Sequence, residues 1–232
     1  MTRLTAFALA VLMLLVPGCR SGGGGDGGAG GEPGPGTTAD LPPGLAWEWR
    51  APQGASTGMP TADDRQVAFT YGHQYLVVLD EKGRERWQAA RLGLRDVAPR
   101  LAGDLVLAAT EEGVAAFRRA DGSPAWDTRL PARANTPVVV AGRAVTSTWE
   151  GQLVGLDLAD GRVAWRTALP GGAIAPPVAD GSTVVVAWQR EDQRAAGVLA
   201  VEAATARTRW TAPVEPGGVG GPTATPDGAV VL

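Results

Sequence analysis

The chain has one cysteine, one histidine, one lysine and one asparagine in 232 residues: Cys19, His73, Lys82 and Asn135. One cysteine excludes an intramolecular disulfide framework. One histidine without cysteine partners gives no metal-ligand spacing and no catalytic triad pattern. His73, in TYGHQY, is expected to be a solvated turn residue. With lysine nearly absent, arginine supplies almost all of the positive charge, and the formal net charge is −3. We find no basic patch interleaved with aromatics, which excludes a nucleic-acid partner. Adjacent acids are equally uninformative. Asp63-Asp64 and Glu111-Glu112 fall where turns are expected, and Asp80 and Asp157 follow strands as turn and cap residues.

Long apolar runs are scarce too. Only Leu4–Val16 qualifies, at 13 residues, which is short for a permanent bilayer span. It follows Thr2-Arg3 and reads as an export signal. Val16-Pro17-Gly18-Cys19 closes it and resembles a bacterial lipobox, with Pro17 a departure from the usual residue type. The resemblance implies acylation of Cys19 and anchoring of the protein to a membrane through that lipid. Residues 1–19 are therefore expected to be a lipoprotein signal and residues 20–40, rich in glycine, a disordered tether spanning on the order of 25 Å. The tether is no phosphate loop, because no GK[ST] follows it. The expected location is the cell membrane or outer membrane, facing the periplasm or the extracellular side.

Helical periodicity is missing beyond the signal, where no run of about ten residues at 3.6 spacing escapes glycine. A different period is present. LVGLDLADGRVAW at Leu153–Trp165 reads as strand, tight turn and strand closed by tryptophan. Related stretches end at Trp87, Trp126 and Trp210, and Trp47 in LAWEWRAP carries only the end of the unit. The tryptophans are separated by 40, 39, 39 and 45 residues. A polar turn precedes a valine- or leucine-rich strand in the same phase, at Asp64-Arg65, Gly103-Asp104, Gly142-Arg143, Asp180-Gly181 and Asp227-Gly228. Each unit has room for four short strands. In the third they are expected at Pro137–Val140, Ala144–Trp149, Gln152–Leu156 and Val163–Thr167. Four strands in about 40 residues make a propeller blade. Residues 41–232 are thus expected to be an all-β propeller domain of four-stranded antiparallel blades, four of them complete, beginning near Pro60, Pro99, Pro137 and Pro177. Partial strands flank them. Either the two ends pair to complete a fifth blade, or the ring has seven or eight blades and extends past Leu232. The ending inside an apolar strand favours the second.

The repeating tryptophans Trp47, Trp87, Trp126, Trp165 and Trp210 are expected to join neighbouring blades rather than stack on a ligand. Trp149 and Trp188 differ. Each lies seven residues after its turn glycine, at the end of a second strand, and is a candidate partner surface.

LVGLDLADGRVAW, VAAFRRADGSPAW, YLVVLDEKGRERW and VLAVEAATARTRW resemble the repeat of the PQQ-like β-propeller superfamily. The second copy has Arg118 for the motif's aspartate. The fourth has Glu202 for that aspartate and Ala206 for the glycine, so its turn is expected to differ. The resemblance implies three functions. One is a non-catalytic scaffold that binds other envelope proteins; the BamB family of lipid-anchored propellers in the outer-membrane barrel-assembly machine is similar in plan. The second is a small-molecule sensor. The third is a fragment of a quinone-dependent dehydrogenase, which the sequence disfavours: the adjacent cysteine pair and calcium ligands of those enzymes have no counterpart here. No cofactor and no metal site are expected.

Overall fold

A computed structural model describes residues 47–52, 55–215, 221–224 and 230–231. The signal, Cys19, the tether and the Asp227-Gly228 turn lie outside the described residues. Those described form strands and turns with no helix, and hence no helix long and apolar enough to cross a membrane.

Four antiparallel sheets follow one another, each built in chain order. The first holds β1 (Thr61–Ala62), β2 (Gln66–Tyr71), β3 (Tyr75–Asp80) and β4 (Glu85–Ala90). The second holds β5 (Arg100–Ala102), β6 (Leu105–Thr110), β7 (Gly113–Arg118) and β8 (Pro124–Arg129). The third holds β9 (Val138–Val140), β10 (Arg143–Ser147), β11 (Gln152–Asp157) and β12 (Val163–Ala168). In the fourth, β13 (Gly172–Ala173) and β14 (Val178–Asp180) both pair with β15 (Thr183–Gln189), followed by β16 (Ala196–Glu202) and β17 (Thr208–Val214). A fifth unit shows β18 (Thr223–Ala224) paired with β19 (Val230–Val231). These are the blades of a β-propeller.

The core lies between blades. The middle strands are covered on both faces, so they read as continuous apolar runs. β2 is buried throughout, and so is β6 after its first residue. Val106 and Ala108 pack toward blade 1, with Leu76 and Val78. Leu107 and Ala109 face blade 3, with Ala144 and Val154. A third cluster joins blades 3 and 4 through Val145, Leu153, Val184 and Val186. The outermost strands β4, β8 and β12 alternate instead, since only one face is covered.

One bulge recurs in every blade. The register shifts after Val78, Ala116, Gly155 and Ala200, each of which pairs with the repeat tryptophan. Bulges re-aim side chains. Here they accompany the indoles of Trp87, Trp126 and Trp165, which reach the next blade, as Trp47 does. Trp47 Nε1 donates to Glu81 O at 3.1 Å, Trp87 to Arg119 O at 2.9 Å, Trp126 to Leu158 O at 3.0 Å and Trp165 to Ala203 O at 2.9 Å. The accepting carbonyls all belong to the turn between third and fourth strands. The ring lies against that turn's glycine. A Cβ on Gly83, Gly122 or Gly161 would come within 2.5–2.6 Å of the indole of Trp47, Trp87 or Trp126. Trp210 finds no such partner among the described residues and is 43% exposed.

The fourth repeat corrects one expectation. Ala206 replaces glycine, yet the turn is unchanged. Ala206 has φ 61° and donates its N–H to Glu202 O at 2.9 Å, as Gly161 does to Asp157 O at 2.8 Å. The adjustment is made elsewhere. Trp165 lies against Gly155 of its own blade, at the position filled by Val78, Ala116 and Ala200 in the others.

Acids fasten these turns. Asp157 accepts from the Ala159 N–H and the Arg143 guanidinium, which hold its carboxyl below the usual range. Arg209 does the same for Glu202. Blade 2 carries Arg118 at this position, and Asp121 takes over by accepting the Ser123 N–H at 2.9 Å.

Candidate functional site

Antiparallel blades give the propeller two ends. Turns joining first to second and third to fourth strands share one end. Hairpins joining second to third strands share the other, together with the linkers between blades. Among the described residues, the second end carries most of the exposed large apolar side chains: Met59, Leu92, Trp149 and Ile174, against Val163 and Trp210 on outer strands. Each of the four blades contributes one.

Trp149 sits in the β10–β11 hairpin and is 50% exposed. It is not loosely held. Its Nε1 donates to Asn135 Oδ1 at 3.0 Å. Asn135 is buried and donates in turn to Ser147 Oγ at 3.0 Å and Ala175 O at 3.3 Å. The guanidiniums of Arg133 and Arg95 lie 4.8 Å and 5.2 Å from the ring centroid, within cation–π range. Arg95 also donates to Ala134 O across the blade 2–blade 3 junction. Burial is the main influence pulling its guanidinium pKa below the ordinary value. Glu111 and Glu150 stand 3.8 Å and 3.9 Å from the guanidiniums of Arg95 and Arg133, near enough to balance charge, and Glu150 Oε1 accepts the Arg133 backbone N–H at 3.4 Å. The result is an amphipathic aromatic surface held in one orientation, the kind of group that anchors protein interfaces.

Trp188 is placed differently. It is part of β15, half-buried, and packs in the core between blades 3 and 4. Its Nε1 is buried without a partner. Two residues before Pro137 blade 3 has Asn135, and two residues before Pro177 blade 4 has Ala175, which removes the acceptor. The candidate surface therefore contains Trp149 and not Trp188. Trp188→Phe is expected to change stability by less than about 1 kcal/mol, because it removes an unsatisfied buried donor along with some area. Urea denaturation checks this; a loss above about 2 kcal/mol would show that the indole N–H is bonded.

His73 is in the β2–β3 hairpin with φ 56°. Its Nε2 is 3.5 Å from Asp96 Oδ2, its backbone N–H donates to Asp96 Oδ1 at 3.2 Å, and Ser56 Oγ donates to the same carboxylate. Serine and histidine thus converge on the acid rather than on each other, an arrangement that leaves the hydroxyl without a base. Among the described residues no three histidine, cysteine or acidic side chains cluster in a metal-binding arrangement.

The hairpins differ in length. Blade 2 turns through Glu111-Glu112, while blade 4 turns through Arg190–Ala195. The 45-residue spacing from Trp165 to Trp210 arises here, since Trp149 to Trp165 is 16 residues and Trp188 to Trp210 is 22. The longer hairpin walls an open cleft of about 1040 Å³ between blades 3 and 4, with Trp149 on the opposite side. Its floor is the linker Leu169–Ala173. That linker needs glycine: a Cβ at Gly171 or Gly172 would come within 2.4 Å of Gln189 O or Trp149 O.

The family model described as "Outer membrane protein assembly factor BamB" matches residues 44–130 and 110–231. The chain belongs to this family. No curated protein matches the sequence. Among solved structures, BamB from Moraxella catarrhalis is similar with a TM-score of 0.54 at 15% identity, covering 76% of this chain and 73% of that one. The computationally designed Ika8 protein is similar with a TM-score of 0.56 at 12% identity, covering 68% of this chain and 49% of that one. At such identities the structures share the fold, and the residues of the cleft are this chain's own.

Proposed function

We propose that the protein is a non-catalytic, lipid-anchored scaffold of the cell envelope that docks other envelope proteins on the hairpin end of its propeller. The observation that carries this reading is Trp149, half-exposed yet fixed by Asn135 and two arginines. Membership in the assembly-factor family supports an envelope-associated, protein-binding role. In this reading residues 1–18 are removed, the Cys19 thiol is acylated, and residues 20–40 hold the propeller off the bilayer.

The anchor has a direct test. Cys19→Ser should shift the protein from the detergent phase to the aqueous phase in detergent partition, or leave it unprocessed. An unchanged, processed membrane fraction would remove the anchor. The same purified protein separates scaffold from dehydrogenase. On this reading, adding PQQ and calcium gives neither stoichiometric quinone absorbance nor alcohol or sugar oxidation.

A further inference from the structure

We propose that Asn135 is the positioning residue of the Trp149 surface: its side-chain oxygen holds the indole in the orientation in which an envelope partner meets it. The inference rests on the scaffold reading and concerns how that surface is built.

The blade framework does not require an amide at this position. Asn135 follows the bridge between Ala134 and Thr148, and its backbone N–H donates to Ser147 O at 2.8 Å. Arg95 follows the corresponding bridge of blade 2, between Leu94 and Thr110, and donates to Ala109 O at 3.0 Å. Gly58 follows that of blade 1, between Thr57 and Tyr71, and donates to Thr70 O at 2.8 Å. Glycine, arginine and asparagine thus make the same backbone bond, which leaves the side chain to serve something else. In blades 2 and 3 it serves one ring. Arg95 Cζ lies 5.2 Å from the Trp149 centroid, and Asn135 Oδ1 accepts from its Nε1 at 3.0 Å.

The neighbours fix which way the amide points. An indole N–H only donates and a backbone carbonyl only accepts. Asparagine answers both, with Oδ1 toward Trp149 and Nδ2 toward Ser147 Oγ and Ala175 O. Ser147 Oγ itself donates to Ala175 O at 3.2 Å, so the junction of blades 3 and 4 keeps a bond when the amide is removed. The indole edge has no second acceptor among the described residues. Arg95 and Arg133 lie against the ring, but attraction to a π face does not set the direction of the ring's polar edge. Asn135 is buried, so it acts on a partner through the ring and not by contact. An aromatic already held in its bound orientation loses less freedom on binding.

The test places a photoreactive phenylalanine analogue at position 174, beside Trp149 in the cleft, and reads the yield of protein adduct from the full chain in the envelope. Asn135→Leu removes both ends of the amide. Asn135→Asp keeps an acceptor for the indole and loses the donors. Adduct yield should fall by about threefold or more in Asn135→Leu, the scale of immobilising one freed side chain on binding, and stay within about twofold of the parent in Asn135→Asp. Asn135→Leu/Trp149→Ala should yield as much adduct as Trp149→Ala alone. A second readout is fluorine NMR of the purified chain labelled with 5-fluorotryptophan. The line that disappears in Trp149→Phe should broaden or split in Asn135→Leu and stay single in Asn135→Asp, with the other tryptophan lines unchanged. A Trp149 line unaltered in Asn135→Leu, broadening of every line, equal losses in the two Asn135 variants, or losses that add in the double variant would overturn the proposal. Undiminished adducts with the Trp149 line broadened would also overturn it and leave the scaffold reading standing. No adduct from position 149 or 174 in the parent chain removes the scaffold reading, and the positioning role with it.

Discussion

Trp87→Ala is expected to lower the unfolding free energy by about 3–5 kcal/mol, the range for deleting a buried large aromatic. Trp87 is 7% exposed and fills the junction between blades 1 and 2 with Leu76, Val106 and Phe117. Its loss also leaves Arg119 O without its donor and opens the space above Gly122. Trp149→Ala removes an equally large side chain from the hairpin end, where half of it already faces water. It should cost less than half as much. Urea denaturation followed by far-ultraviolet circular dichroism measures both, and equal losses would contradict a role for Trp149 at the surface.

The second large effect is a coupling between two positions 51 residues apart in sequence. Gly155→Ala would place a Cβ 2.2 Å from the Trp165 ring, so the indole must leave its site. Overpacking of this kind costs about 1–3 kcal/mol. The turn facing the Trp165 ring carries Ala206 where the turns of the other junctions carry glycine. Ala206→Gly should therefore restore much of the loss in the double variant. By itself Ala206→Gly should change stability little or raise it slightly, since alanine at φ 61° is strained. The double-mutant cycle is expected to give a coupling energy of about 1 kcal/mol or more. Additive effects would show that Gly155 and Ala206 are unrelated substitutions.

This pair marks what was readable in the sequence. The repeat, the four-strand blades and their starts near Pro60, Pro99, Pro137 and Pro177 follow from turn chemistry and period, which are local. β10, β11 and β12 begin and end within two residues of the bounds that sequence spacing predicts. Ala206 was visible as a departure from the repeat, and its turn was expected to change. The turn keeps the left-handed conformation at Ala206, the preceding blade's indole still donates to Ala203 O, and glycine stands at position 155 beneath that ring. That compensation crosses a blade junction and leaves no local signal.

The candidate site was readable only in part. Trp149 and Trp188 hold the same place in the repeat, and nothing near either one separates them. The separation comes from the linker two residues before Pro137 and Pro177, where Asn135 supplies an acceptor and Ala175 does not. Asn135 is the only asparagine in the chain, and its position in the repeat was the available clue. The six extra residues were visible as a broken period. Their consequence, a cleft facing Trp149, depends on how blades 3 and 4 sit side by side. His73 paired with Asp96 was also beyond sequence reach, since the acid comes from the next linker.

The scaffold account is tested most directly by a photoreactive phenylalanine analogue placed at position 149, compared with positions 104 and 166, in the envelope of the organism that makes the protein. Asp104 is exposed at the opposite end of the propeller and Arg166 on the outer strand of blade 3. The account predicts a discrete protein adduct from position 149 and none from the other two. Adducts of equal yield from all three positions, or none from position 149, would contradict it.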